Sequence, residues 1–129
     1  MSDIDDYRGK LDASDVELAL ALESAIARVV PQAAGKVWHG HPVWFIDGNP
    51  IVGYHLMKGG LKVLFWSGQS FTTPGLSPLG SFKAANFFPG SVAALAESPF
   101  EDWLQQAIAI QWDYKNLPKN KSLVPLTAF

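Results

Sequence analysis

The pair Gly59-Gly60 lies between two runs of aliphatic, β-branched and aromatic residues, at positions 51–58 and 61–66. Glycine reaches the positive φ angles of a tight turn without steric cost, and two such runs on either side of a short glycine turn are typical of a β-hairpin. This feature constrains the fold more than any other. Pairing the two runs determines which of their side chains share a face, and the short connection requires an antiparallel sheet.

Further strands are predicted on both sides of this hairpin. Short runs rich in aromatic and β-branched residues occupy positions 36–41 and 43–46, separated by a proline, and a turn at 47–50 joins them to the hairpin. A loop at 67–80, rich in Gly, Pro, Ser and Thr, precedes a fifth predicted strand at 81–88.

An amphipathic helix is predicted near each end of the chain. Ser14 and Glu17 have the spacing of a capping box, and apolar residues recur at helical intervals from there to Pro31, which ends the helix. Ser98 and Glu101 form a similar start for the second helix. The predicted fold class is therefore α+β: a two-layer domain whose mainly antiparallel, five-stranded sheet carries the N- and C-terminal helices on one face.

Composition supports one domain. A length of 129 residues with 48% hydrophobic and 17% charged residues fits a single globular core. The domain is predicted over residues 1–118, followed by a C-terminal tail at 119–129 that shows no periodicity. We expect a cytoplasmic location, because the chain has no cysteine and begins with an acidic segment rather than a basic, apolar leader.

Charge excludes some partners. The formal net charge of −2 argues against a general nucleic-acid-binding protein, which needs a surplus of Lys and Arg. The apolar run at 16–30 contains charged residues, which argues against a membrane span. A catalytic role is not favoured, because neither a Gly-x-Ser-x-Gly elbow nor a glycine-rich phosphate-binding fingerprint occurs in the sequence.

Both faces of the predicted hairpin are apolar or aromatic. Residues 52, 54 and 56 form one face of the first strand as Val, Tyr and Leu, and residues 51, 53, 55 and 57 form the other as Ile, Gly, His and Met. A sheet with one face open to water should carry polar side chains there. We therefore expect the second face to be covered by the 67–80 loop, a ligand or a second subunit.

Aromatic residues are concentrated in the sheet, with a few polar side chains near them. A pocket with aromatic walls and polar tips would suit a small organic or anionic ligand, and the alternative is that the rings simply fill the core. The predicted ligand-binding residues are Trp38, His41, Trp44, Tyr54, Trp66, Ser67 and Lys83.

Several short motifs together resemble the YdhG-like family of bacterial domains of unknown function. They are the stretches at 38–44 (WHGHPVW), 48–54 (GNPIVGY), 64–68 (LFWSG), 80–83 (GSFK) and 110–116 (IQWDYKN). The resemblance covers roughly residues 7–117 and implies a two-layer α+β domain with an antiparallel sheet. Some relatives are described as frataxin-like iron-binding chaperones, so the resemblance also implies iron as a candidate ligand. It carries no catalytic residue onto this chain.

Metal binding has two sets of candidate ligands. His39 and His41 are two residues apart, so on one strand they would face the same side, and His55 on a neighbouring strand could supply a third imidazole to iron or another divalent metal. The acids Asp3, Asp5, Asp6, Asp12, Asp15 and Glu17 could hold a hard cation weakly. The alternatives are histidines bonded to backbone or water, and acids that stabilise a helix start.

The residues therefore support three hypotheses. The first is a non-catalytic binding module, in which the aromatic sheet face and the 67–80 loop hold a small ligand or a partner chain. The second is a metal-binding, chaperone-like protein, and the third is a structural homodimer that uses the open sheet face as its interface.

Overall fold

The computed structural model describes residues 2–127, which form a helical layer on one face of a six-stranded sheet. Every neighbouring pair of strands is antiparallel, in the order β1-β2-β3-β4-β6-β5. The strands are β1 (Ala34–Trp38), β2 (His41–Ile46), β3 (Asn49–Met57), β4 (Gly60–Phe65), β5 (Ser77–Pro78) and β6 (Ala85–Phe87). The helices are α1 (Asp3–Arg8), α2 (Ala13–Val29), α3 (Val92–Glu97), α4 (Phe100–Ala109) and α5 (Leu117–Asn120). The predicted α+β class is confirmed, with six strands instead of five.

The three long hairpins depend on residues that adopt positive φ. The β1–β2 turn is His39-Gly40, with φ of 54° and 85°, and the β2–β3 turn is Asp47-Gly48, with φ of 50° and 83°. Gly60 has φ of 116° where β4 begins. Glycine adopts these angles readily, and Asp and His are among the few other residues that tolerate them, so the turns are encoded locally.

The core lies between the sheet and helices α1–α4. Leu18, Leu22 and Ile26 form the buried stripe of α2, as their helical spacing predicts. They pack with β4 residues such as Phe65 and with Trp103 of α4, both of which are almost completely buried. Full burial of such a side chain contributes about 1.5–3 kcal/mol, so this apolar layer is the main stabilising feature of the fold.

The helix starts differ from those predicted. Helix α2 begins one residue before Ser14, with Asp12 at its N-cap position, and α4 begins at Phe100 after Pro99, so neither predicted capping box is present. A capping box forms instead at Ser2 and Asp5, at the start of the unpredicted helix α1. Ser98 ends a second unpredicted helix, α3, and its hydroxyl donates to the Leu95 carbonyl.

Two strand predictions also need correction. The strand predicted at 36–41 contains the His39-Gly40 turn, and Pro42 lies inside β2 opposite Val37 rather than between two strands. The strand predicted at 81–88 is reduced to β6, and an additional short strand, β5, forms inside the predicted 67–80 loop. Proline is tolerated near the start of β2 because the pairing with β3 begins only at Val43, so no bond of that ladder needs the missing N–H.

The segment 110–127 returns across one end of the sheet. Helix α5 crosses the predicted boundary at residue 118, and residues beyond it pack back onto the chain, with Trp112 bridging to Pro125 and the Leu126 N–H donating to the Gln111 carbonyl. The predicted tail at 119–129 is therefore attached to the domain as far as residue 127, and its last two residues lie outside the described residues. Over residues 2–127, every helix is too short or too polar to cross a bilayer.

Candidate functional site

The face of the sheet opposite helices α1–α4, here called the open face, carries a cluster of aromatic rings. The Trp38 ring centroid lies 6.3 Å from that of Trp66 and 5.4 Å from that of Phe45. His41 lies 6.5 Å from Trp66 and stacks on His55 at 4.6 Å. Strand alternation places these residues on one face, so the structure brings together three of the predicted ligand-binding residues: Trp38, His41 and Trp66.

Trp44 and Tyr54 lie on the opposite face, beneath the helices. Both are buried, with ring centroids 6.0 Å apart, and the Tyr54 hydroxyl donates to a Glu23 carboxylate oxygen at 2.7 Å. Burial, followed by the neighbouring Glu23 carboxylate, raises the pKa of Tyr54 well above its ordinary value. The prediction that these two residues share a pocket with Trp38 and Trp66 is wrong. Trp38 pairs with His41, three residues before Trp44, and Tyr54 pairs with Val63, three residues before Trp66, so alternation along the strands places Trp44 and Tyr54 on the other face.

Ser67 and Lys83 hold the C-terminal segment in place. The Trp112 N–H donates to the Ser67 hydroxyl at 2.9 Å, and the Lys83 ammonium lies 4.6 Å from the centroid of the Trp112 ring. The backbone N–H of Lys83 donates to the Tyr114 hydroxyl at 3.0 Å. Ser67 and Lys83 therefore hold the C-terminal segment in place. Within the described residues, neither of them lines the cleft described below.

The 67–80 loop packs on the helical layer rather than on the open face. The Trp103 indole N–H donates to the Thr73 carbonyl at 3.0 Å, and Gln106 donates to the Thr73 hydroxyl at 2.7 Å. Phe71 contacts the core residue Phe65 edge-on, with ring centroids 5.5 Å apart. Both Trp103 and Gln106 belong to α4, so this loop is tied to the helical layer.

The three histidines do not form a shared ligand set. His39 lies in the β1–β2 turn rather than on a strand, with its ring 4.2 Å from the Trp38 ring. His41 and His55 stack nearly parallel, at an interplanar angle of 16°. Across residues 2–127, no group of three or more His, Asp or Glu side chains is placed to hold a metal ion. The prediction that His39 and His41 face the same side of one strand is therefore wrong.

His41 is partly buried within the aromatic cluster. Its Nδ1 atom is buried and, within residues 2–127, has no hydrogen-bond partner. Burial in the aromatic cluster lowers the pKa of His41 below its ordinary value, and the neighbouring His55 lowers it further. The His41 ring is consequently neutral over a wider pH range than an exposed histidine.

Two of the six N-terminal acids, Asp3 and Asp5, have structural partners. Asp5 caps α1 through Ser2 and pairs with Arg8 at 2.6 Å, and the Arg8 guanidinium holds the pKa of Asp5 below its usual range. The Asp3 carboxylate accepts the backbone N–H of Val37 in β1 at 2.7 Å. These contacts match the helix-start alternative, in which acids stabilise the partial positive charge of a helix N-terminus.

A cleft of about 520 Å³ separates the β1–β2 edge of the open face from the C-terminal segment. One wall consists of the Trp38 and Phe45 rings with Lys36, whose ammonium lies 5.0 Å from the Phe45 ring centroid. The other wall consists of Tyr114 and Lys115 with the first residues of α5. Burial raises the pKa of Tyr114, so its phenol is neutral. The lining of the cleft therefore contains both aromatic rings and lysine ammonium groups.

Asn49 fixes the distance between the two walls. Its side chain has no exposed surface, and its amide donates to the Gln111 side-chain oxygen at 3.0 Å and to the Trp112 carbonyl at 3.1 Å. Its oxygen accepts the backbone N–H of Lys115 at 3.0 Å. The Lys115 ammonium adds a bond to the Asp47 carbonyl at 3.0 Å. The C-terminal wall is thus anchored to the β2–β3 hairpin.

Sequence reasoning missed most of this cleft. Lys36, Phe45, Tyr114 and Lys115 line it, yet only Trp38 among the predicted ligand-binding residues does so. Asn49 appeared in the sequence only as a turn residue. The buried position of Asn49 has no local signature, because its partners lie more than sixty residues away along the chain.

Comparison of the chain with protein-family models, with curated proteins and with solved structures finds no match in any of the three. The resemblance to the YdhG-like family therefore stays a prediction.

Proposed function

We propose that this protein is a binding module that holds a small planar ligand in the cleft between the open face and the C-terminal segment. The observation that carries this proposal is the presence of three aromatic residues in the lining of the cleft: Trp38, Phe45 and Tyr114. Rings stack on planar ligands through dispersion and quadrupole interactions, so an aromatic-walled cleft favours a flat, partly apolar molecule.

The size of the cleft agrees with such a ligand. Sites for small molecules usually enclose about 300–1,000 Å³, and the volume of about 520 Å³ falls in this range. Its walls are held by bonds that exist without a ligand, namely those of Asn49 to the C-terminal segment. A preformed site loses little conformational entropy on binding, which favours affinity.

The charge of the open face makes a second copy of the chain a weaker candidate for the occupant. A twofold dimer through this face would bring the same patch of each subunit together. Lys36 and Lys62 lie on that patch, Lys62 opposite His55 in the β3–β4 pairing. Like charges facing each other oppose association, and the same charge opposes the binding of a metal cation. A small ligand avoids both costs.

The proposal is tested by filling the cleft. Ala34 is exposed and lines the cleft from the edge strand β1, so Ala34→Trp should occupy the site without disturbing the core. Ala27→Trp, at an exposed position of α2, is the matched control. Thermal-shift screening would use planar compounds of neutral, anionic and cationic character. We expect stabilising compounds whose effect is lost in Ala34→Trp and kept in Ala27→Trp. A screen without such compounds, or with compounds that act equally on Ala34→Trp, would contradict the proposal.

A further inference from the structure

Resting on the proposed function, we infer that the ligand of the cleft is an anion: a planar ring that carries a carboxylate or phosphate group. Lys36 stands on one wall and Lys115 on the other, and His39 lies at the rim. Within the described residues, no carboxylate lines the cleft. The aromatic walls would hold the ring, and the two ammonium groups would hold its acidic substituent.

The ammonium groups of these lysines are uncompensated. The three ion pairs found among residues 2–127 all use arginine: Arg8 with Asp5 and Glu23, and Arg28 with Glu101. Lys36 lies over an aromatic ring, and Lys115 donates to a backbone carbonyl, so neither faces an acidic side chain. The Asp3 carboxylate near β1 bonds to the Val37 N–H and forms no ion pair with Lys36, so both lysines are available to pair with an anion that enters the cleft.

Asp113 in the C-terminal wall and Asp47 in the β2–β3 turn do not supply a negative charge to these lysines. The Asp113 carboxylate accepts the backbone N–H and the side-chain amide of Asn116, so its oxygens are used within its own turn. Asp47 is exposed and offers Lys115 its backbone carbonyl. Among residues 2–127, therefore, neither carboxylate forms an ion pair with Lys115.

The distribution of charge over the molecule supports the same conclusion. Residues 2–30 and 91–109, which contain α1–α4, hold ten of the twelve acidic side chains of the protein. The remaining described residues, which form the sheet and the C-terminal segment, hold seven of the ten basic side chains, all lysines, with only Asp47 and Asp113. An acidic protein with a net charge of −2 therefore presents a cationic sheet side. Such a field attracts anions toward the open face and repels cations.

Calorimetry with three probes that share one ring system would test the inference. The probes are naphthamide, which is neutral, naphthoate, which carries a carboxylate, and naphthyl phosphate. The protein variants are Lys36→Met and Lys115→Met, which keep most of each side chain's apolar stem and remove its charge. Lys58→Met, in the β3–β4 turn and outside the cleft, is the control.

We expect at least one anionic probe to bind about tenfold more tightly than naphthamide. Each lysine variant should weaken that probe about threefold to fivefold, the upper part of the range for exposed ion pairs, and Lys58→Met should leave it unchanged. The preference should shrink at about 0.5 M salt, where charges are screened within a few ångströms. The tighter of the two anions identifies the acidic group.

The contrary outcomes separate the two proposals. If naphthamide binds as tightly as both anions, and Ala34→Trp still abolishes binding, the ligand is planar but not anionic, and only the inference on charge is wrong. If no probe binds at millimolar concentration, or Ala34→Trp has no effect on any of them, the cleft itself is not the site and both proposals are wrong.

Discussion

Asn49 fastens the C-terminal segment to the sheet, and we expect Asn49→Ala to be among the most destabilising single substitutions outside the apolar core. The substitution removes three hydrogen bonds at once, two donated by the amide and one accepted by its oxygen. It leaves the Gln111 side-chain oxygen and the Lys115 N–H without the side chain to which they bond, while the Trp112 carbonyl still accepts the Tyr114 N–H.

The magnitude follows from those three bonds. A typical intramolecular hydrogen bond contributes about 1 kcal/mol net, and a buried group left without a partner costs about 1–3 kcal/mol. The Trp112 and Lys115 groups are partly buried, so water can replace some of the lost bonding. We therefore expect the free energy of unfolding to fall by about 2–4 kcal/mol. This is below the stability of most domains, about 5–15 kcal/mol, so the variant should still fold.

Urea denaturation measures this loss, with Asn120→Ala as the control. Asn120 is exposed at the end of α5, and its replacement should change stability by less than about 0.5 kcal/mol. Amide hydrogen exchange supplies a local readout, since the Lys115 N–H should be protected in the wild type and exchange much faster in Asn49→Ala. A loss under about 0.5 kcal/mol with the Lys115 amide still protected would refute the anchoring role assigned to Asn49.

Three further predictions concern the sheet. Tyr54→Phe removes the bond to Glu23 and should lower the free energy of unfolding by about 0.5–1.5 kcal/mol in urea titrations; an unchanged midpoint would mean that this buried bond contributes nothing net. Gly53→Ala should cost about 1–3 kcal/mol, because a Cβ there would lie 2.6 Å from the Pro42 carbonyl oxygen, whereas Gly59→Ala, with no atom nearer than 3.9 Å, should be close to neutral. The pKa of His41 is lowered in the fold, so the unfolded chain binds a proton at His41 more readily than the folded chain does. His41 therefore contributes stability above about pH 6.5, and this stability is lost as the pH falls through the folded pKa. Urea midpoints measured between about pH 7 and pH 5 should drop in the wild type and drop less in His41→Gln.

The β2–β3 and β3–β4 turns and the alternation of side chains along their strands were predictable from sequence, whereas the His39-Gly40 turn fell inside a predicted strand. Glycine turns and the two-residue period of a strand are local properties, so Gly59-Gly60 was enough to place Tyr54 and His55 on opposite faces. The stripe of α2 followed from helical spacing in the same way. The start of α2 was not predictable, because Ser14 and Asp12 are both good N-cap residues and local sequence does not distinguish them.

The sequence alone determined the antiparallel sheet, its apolar character on both faces and the two long amphipathic helices, since each depends on residues close together in the chain. Only the tertiary structure decided which face the helices cover and what forms the second wall of the cleft. That wall depends on Asn49 meeting residues 111–115, and a contact across more than sixty residues leaves no periodic pattern in the sequence. The site consequently follows from how distant segments pack together, whereas the strands that carry it follow from local chemistry.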